Sequence, residues 1–145
     1  MGYEMILAPF LAFWVAGLLK VPIHRLTDHE WKWGLVTSTG GMPSSHSATV
    51  SALALAVGLF NGFTSAGFAI SMVLAGVVLH DAVTIRRQAG MQAARINIIF
   101  DNLLAGHSLT ENDLKEVLGH TPFEVAAGVG IGLLTALLVW LFRSS

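Results

Sequence analysis

Four long apolar segments constrain the fold of this chain more than any other feature of its sequence. They cover roughly residues 5–21, 47–60, 65–83 and 125–142. Each approaches the length of about 20 apolar residues that an α-helix needs to cross a bilayer, although the second is short and rich in alanine and serine. The pattern therefore predicts an all-α, integral membrane helical bundle with about four transmembrane helices.

The composition supports a membrane protein. Of the 145 residues, 54% are hydrophobic and only 12% are charged, and the mean hydropathy is +0.67. Soluble domains carry about 25% charged residues. The length suits a single membrane-embedded domain over residues 1–145. A net charge of −1 gives no indication of a nucleic-acid partner, and the absence of cysteine excludes disulfides, thiolate metal sites and a cysteine nucleophile.

Two long connections, residues 22–46 and 84–124, separate the apolar segments. With four spans both connections lie on one face of the membrane, and that face holds seven of the eight Lys and Arg residues. The positive-inside rule places this face in the cytoplasm and both termini outside. The stretch "RRQAGMQAARINIIFDNLLAG" has apolar residues at helical spacing, and Thr110 can cap a second helix. We therefore expect one or two short interfacial helices in the second connection.

Small residues recur within the second and fourth apolar segments. Such residues let helices approach closely in lipid, so we interpret them as packing positions and assign them no chemistry. The residues concerned are Ala52, Ala54, Ala56, Gly58, Gly128, Gly130 and Gly132.

The stretch "STGGMPSSHS" leads directly into the second apolar segment. Free N–H groups and the positive dipole end make a helix N-terminus attractive to anions, and Gly41 lets the backbone approach an anion closely. Ser44 and Ser45 add hydroxyl donors, and His46 can release a proton. A capped helix start at Pro43 and Ser44 explains the same residues without any ligand. This stretch alone leaves both interpretations open.

Further ionisable residues follow the third apolar segment and precede the fourth. Arg86 and Arg87 carry guanidinium forks that match phosphate oxygens, although such a pair also suits lipid headgroups, and Asp81 is a supporting candidate. His120 and Glu124 share a face if they lie on one helix, where the carboxylate would fix the imidazole tautomer and leave the other nitrogen to attack. An acid at a helix N-terminus is the alternative. Without a second histidine–acid cluster, we predict no metal site.

Four stretches resemble the type 2 phosphatidic acid phosphatase superfamily, and more closely its divergent branch of small bacterial and plastid membrane proteins. They are "KVPI", "STGGMPSSHSA", "DAVTIRRQAGMQAARIN" and "LKEVLGHTPFEV", which together span residues 20–125. The motifs of the superfamily are K-x6-R-P, P-S-G-H and S-R-x5-H-x3-D. This chain departs from them, because Ser45 stands at the glycine and four spans replace the usual six. Arg86 and Arg87 also lie 34 and 33 residues before His120 instead of six.

The resemblance implies a role for each matching residue. His120 would be the nucleophile that forms a phosphohistidine, Glu124 would orient it, and His46 would protonate the leaving alkoxide. The other matches would bind phosphate: Lys20 with Lys32 in reserve, Ser44, Ser45, and Arg86 or Arg87.

The expected function is that of a metal-independent lipid-phosphate phosphatase that needs no cofactor. Its substrate would be a phosphomonoester made on the cytoplasmic face of a bacterial or plastid membrane, such as phosphatidylglycerol phosphate. A thin four-helix shell around the site suits a homodimer. The alternative from another class is a non-catalytic membrane module that binds anionic lipid headgroups or a partner subunit. A vanadate-dependent haloperoxidase ranks third.

Overall fold

The computed structural model describes residues 2–38, 40–84, 92, 95–96 and 121–144. Within them every regular element is a helix, which confirms the all-α prediction. The elements are α1 (Tyr3–Asp28), a 3₁₀ turn (Trp33–Leu35), α2 (Ser45–Asn61), α3 (Ala66–Val83) and α4 (Pro122–Ser144). Of the segment predicted to hold interfacial helices, only Gln92, Arg95 and Ile96 are described, and they are helical and exposed.

Helix α2 lies at the centre of the bundle. It packs against α1, α3 and α4, and α1 also packs against α4. In the described part of the chain, α1, α3 and α4 are long and apolar enough to cross a membrane. With 17 residues, α2 is at the short end of the range for a bilayer crossing, and the other three helices enclose it. The protein is therefore a membrane helical bundle, close to the prediction.

The core between α1, α2 and α4 consists of alanine. On α1 and α2 its buried members recur at intervals of four residues, so each of these two sets forms one ridge along its helix. They are Ala8, Ala12 and Ala16 of α1, Ala48, Ala52 and Ala56 of α2, and Ala136 of α4. Small side chains bring backbones close together, which is how helices associate in lipid without a hydrophobic driving force. Ala54 packs on the other side of α2, with Ala75 of α3.

Glycines bring α4 against α2. A Cβ on Gly128 would collide with the carbonyl of Ser44, and a Cβ on Gly132 would collide with the carbonyl of Ala48. Both therefore confirm the packing interpretation. Gly130 differs, because a Cβ there meets no described atom within 4 Å. The packing interpretation of Gly130 is wrong, since it points away from α2.

Large apolar side chains cover the outside of the bundle. Phe10 is 63% exposed, Ile70 70% and Leu134 58%, and each lies on a different helix. Soluble monomers rarely expose apolar patches larger than a few hundred Å². This outer surface suits contact with lipid acyl chains.

Helix α1 extends further than its apolar segment predicts. The prediction ends near Val21, before Pro22, but the helix continues to Asp28 and closes on His29, whose φ of 59° is left-handed. Proline removes one helical N–H, a loss that membrane helices tolerate when neighbouring helices support the backbone. The additional turns place Lys20, His24 and Asp28 four residues apart on one helix face.

Candidate functional site

The α2 N-terminus is a capped helix start. Gly41 has a positive φ of 83°, the Met42–Pro43 peptide bond is cis, and Ser44 takes an extended conformation as the N-cap. The Ser44 hydroxyl accepts hydrogen bonds from the Ser47 N–H at 3.4 Å and from the Ser47 hydroxyl at 2.9 Å. Ser44 is fully buried. This is the geometry that the capping interpretation predicts. The cap fixes where α2 begins, but it does not use all the backbone N–H donors of the first turn.

The α4 N-terminus is closed by a reciprocal capping box. The Glu124 N–H donates to the Thr121 hydroxyl at 3.3 Å, and the Thr121 N–H donates to Glu124 Oε2 at 3.1 Å. The Ser44 N–H also donates to the Glu124 carbonyl at 3.2 Å, so the first turns of α2 and α4 are joined. Such a box satisfies two otherwise unpaired donors. Glu124 therefore has a structural role whatever else it does.

Lys20 is buried next to these two helix ends. It is 2% exposed, and its Nζ donates to the carbonyl of Ser38 at 2.7 Å. The carboxylate of Glu124 acts on it electrostatically, and the Cβ position of Gly41 lies 3.9 Å from its Cδ. An ammonium group has three donors, and burying a charge is costly unless it is paired and hydrogen-bonded. In the part of the chain that the structure describes, the Ser38 carbonyl uses one of these donors and leaves the others for a ligand oxygen.

A cavity of about 310 Å³ lies beside Lys20. That volume is at the lower end of the range for small-molecule pockets, about 300–1,000 Å³. Three of the predicted site residues, Lys20, Gly41 and Glu124, line it together. Its other lining residues are Ile23, His24, Thr27, Asp28, Leu35 and Met42. The structure thus brings together residues from α1, the loop before α2, and α4.

His24 is the cavity residue that sequence reasoning missed. Its position after Pro22 predicts a loop residue, to which the sequence assigns no role. The loop placement is wrong, because His24 lies within α1, where it lines the cavity. Its Nδ1 is 2.7 Å from Asp28 Oδ2, and its Nε2 is buried with no hydrogen-bond partner among the described residues. The four-residue spacing of Lys20, His24 and Asp28 was the available signal.

The first turn of α2 holds two more predicted residues. Ser45 is 2% exposed, and its hydroxyl is buried without a described hydrogen-bond partner. His46 follows it and is half-buried. Asp81 lies near the C-terminus of α3, which reaches the same end of the bundle because only residues 62–65 separate α2 from α3. Arg86, Arg87 and His120 lie outside the described residues.

The structure separates the two candidate lysines. Lys20 lines the cavity, whereas Lys32 is exposed, forms an ion pair with Glu30 at 3.1 Å and does not line it. Among the described residues, no three His, Asp or Glu side chains are grouped to hold a metal ion. A buried ammonium, a helix N-terminus and an imidazole nitrogen instead suit an oxyanion.

Comparison with known proteins agrees with this architecture. A family model described as the Divergent PAP2 family matches residues 1–135. A curated protein of Bacillus subtilis (strain 168), "Uncharacterized membrane protein YuiD", is 40% identical over 148 aligned residues, which cover 94% of each chain. No solved structure matches this chain.

Proposed function

The chain belongs to the divergent PAP2 family, and on that premise we propose that it is a phosphatase that hydrolyses a lipid phosphomonoester within the membrane. It is a PAP2-related membrane protein, and catalysis is what we propose in addition. The observation that carries it is the burial of Lys20 beside a cavity that also contacts Gly41 and Glu124. A buried cation next to a helix N-terminus supplies the positive field that a phosphoryl group requires.

The proposed reaction has two steps, with roles that follow the family motifs. In the first, a nitrogen of His120 attacks phosphorus, the P–O bond to the lipid breaks, and His46 gives its proton to the departing alkoxide. In the second, water attacks phosphorus and gives its proton to His46, while the P–N bond breaks and its electron pair returns to His120. The arginines and Lys20 hold the phosphoryl oxygens, since phosphoryl transfer needs mainly positioning and charge stabilisation.

Glu124 is the proposed orienting acid. Its Oε2 holds the backbone N–H of Thr121, the residue that directly follows His120 in the chain. The capping box therefore fixes the backbone one residue from the proposed nucleophile. This arrangement supports an indirect contribution of Glu124 to the position of His120, in addition to any contact with the imidazole.

The lipid tail of the substrate would stay in the bilayer while the phosphate enters the cavity. The excess of Lys and Arg on this face favours a cytoplasmic site, and hence a phosphomonoester made in the cytoplasm, such as phosphatidylglycerol phosphate. The same features would let a non-catalytic module bind anionic lipid headgroups.

Phosphate release by the purified protein tests the proposal. We expect the full chain in lipid nanodiscs to release inorganic phosphate from at least one member of a panel of lipid phosphomonoesters, in the presence of EDTA. Orthovanadate should inhibit, because it becomes five-coordinate around a histidine and mimics the transition state. Binding of these lipids without release would favour the non-catalytic module. Activity lost in EDTA and restored by a divalent metal would contradict the metal-free mechanism.

Substitution of the two histidines assigns their roles. His120→Ala should abolish turnover and any phosphoenzyme. His46→Ala should fail with alkyl phosphates but recover partly with p-nitrophenyl phosphate, since nitrophenolate leaves without a proton. If p-nitrophenyl phosphate restored activity to His120→Ala instead of His46→Ala, the two roles would have to be exchanged.

A further inference from the structure

His24 and Asp28 form a histidine–carboxylate pair that faces the Lys20 cavity. The two residues are one turn apart on α1, with His24 Nδ1 2.7 Å from Asp28 Oδ2. Asp28 is largely exposed, with 58% of its side chain accessible, whereas His24 has only 20% accessible. The carboxylate therefore approaches from the solvent side, and the imidazole extends inward.

This pair fixes the chemistry of the second imidazole nitrogen. Because Nδ1 donates its proton to Asp28, a neutral His24 carries a lone pair on Nε2, and a protonated His24 carries an N–H there. In both states Nε2 needs a hydrogen-bond partner, yet it is buried and has none among the described residues. Buried polar atoms of this kind are rare and require an explanation such as a bound ligand.

The surroundings of His24 favour a phosphate oxygen as that partner. Lys20, one turn earlier on the same face, directs its ammonium to this end of the bundle and hydrogen-bonds Ser38. The two acids that line the cavity, Asp28 and Glu124, already have partners, since Asp28 accepts from His24 and Glu124 accepts from Thr121. The cavity thus offers a cation and an imidazole nitrogen to a ligand.

We propose that His24, held by Asp28, is a phosphate-binding residue of this cavity. Its Nε2 donates to a phosphate oxygen when the imidazole is protonated, and accepts from a P–OH group when it is neutral. Asp28 is the positioning residue, because it acts on the ligand only through the imidazole. The proposal deepens the proposed function and rests on it for the identity of the anion as a phosphomonoester or its product. The binding step itself requires no turnover.

Equilibrium binding to the full chain in nanodiscs tests the proposal. Two probes separate the sources of phosphate: inorganic phosphate, and a short-chain phosphatidic acid presented in the same discs. Loss of a hydrogen bond to a charged ligand weakens binding by about 10–100-fold, so His24→Ala should raise both dissociation constants by that factor. His29→Ala is the matched control, since His29 is exposed at the end of α1 and does not line the cavity.

Two conservative variants distinguish a contact from a structural role. His24→Gln keeps an amide nitrogen near the position of Nε2 and should recover part of the affinity. Asp28→Asn keeps the volume of the side chain but replaces the carboxylate, so it should weaken phosphate binding less than His24→Ala does. The ¹⁵N resonance of His24 Nε2 should move when inorganic phosphate is added, which a purely structural histidine would not show.

The outcomes separate this proposal from the phosphatase. A wild-type protein that hydrolyses no lipid phosphate but binds inorganic phosphate in a His24-dependent manner would support the site and contradict the phosphatase. An active phosphatase whose His24→Ala variant binds both probes like the wild type would overturn the role of His24 alone. Failure of the wild type to bind inorganic phosphate, or an effect of His24→Ala limited to the lipid probe, would also overturn it.

Discussion

The two ends of the helical bundle each bury one charged side chain, but they surround it differently. At one end, Glu4 is 5% exposed; its Oε1 accepts from Arg143 at 2.8 Å and its Oε2 from the Gly2 N–H at 3.0 Å. At the other end, Lys20 is 2% exposed, borders a cavity and, among the described residues, has one hydrogen bond, to Ser38. We call these the clamp end and the cavity end.

The comparison shows how a structural buried charge differs from one available for a ligand. At the clamp end, both carboxylate oxygens have partners, and Arg143 also lies over the Tyr3 ring at 5.7 Å. The pair ties α1 to α4 across 139 positions of sequence. At the cavity end, the residues that the structure describes leave donors of the Lys20 ammonium without an acceptor, and they border a cavity. Because a buried charge is costly unless it is compensated, these unused donors support the proposal that this end binds a ligand.

The largest expected contrast between the two ends is their side of the membrane. The chain has no cysteine, so single cysteines report accessibility cleanly. Gly34→Cys, next to the cavity end, should resist an impermeant thiol reagent in intact cells, whereas Thr64→Cys, in the turn after α2, should react fully. The reason is the excess of Lys and Arg that the sequence assigns to this face of the membrane. Labelling of Gly34→Cys from outside would place the cavity on the external face.

Removing the buried charge should lower activity when it lies at the cavity end and leave activity nearly unchanged when it lies at the clamp end. Lys20→Met should lower kcat/KM for phosphate release by roughly 10²–10³-fold, the usual cost of losing one group that stabilises a developing charge. Glu4→Gln, at the clamp end, and Lys32→Met, on the surface, should leave kcat/KM within about twofold. Loss of activity in Glu4→Gln with an intact fold would remove the functional distinction between the ends.

Gly128 connects the cavity end to the helix packing. Gly128→Ala should reduce the free energy of unfolding by about 1–3 kcal/mol, because the added methyl group meets the Ser44 carbonyl. It should also lower activity, since it displaces the first turn of α2 from α4. Gly130→Ala is the matched control; it faces open space and should be neutral or slightly stabilising. Thermal unfolding by circular dichroism, with phosphate release on the same samples, measures both effects.

The clamp should contribute to stability alone, and this is the smallest effect. Arg143→Gln and Glu4→Gln should each lower Tm without changing the KM for lipid phosphate. The double variant should lose less than the sum of the two single losses, because each single change removes the same interaction. Additive losses in Tm would show that Glu4 and Arg143 are not coupled. A changed KM in Arg143→Gln would contradict a purely structural clamp.

At the cavity end, the sequence predicted the start of α2 better than the last turns of α1. The start of α2 and the choice of Lys20 as a candidate followed from motifs, and the apolar segments gave the helices to within a few residues for α2 and α3. His24 was missed because Pro22 suggested the end of α1. A proline in a membrane helix costs little when neighbouring helices support it, so the local signal was misleading. The clamp was missed because no local pattern relates residues 4 and 143.

The sequence by itself determined which segments are apolar, that they form helices, and where α2 begins, because hydrophobicity, small-residue spacing and capping act between residues close in the chain. Only the tertiary structure decided which polar residues meet. Lys20 faces Gly41 and Glu124, rather than lipid, because the alanine ridge of α1 packs against α2 and fixes the rotation of α1. Helix rotation depends on the packing of whole surfaces, so it cannot be predicted from any short stretch of sequence.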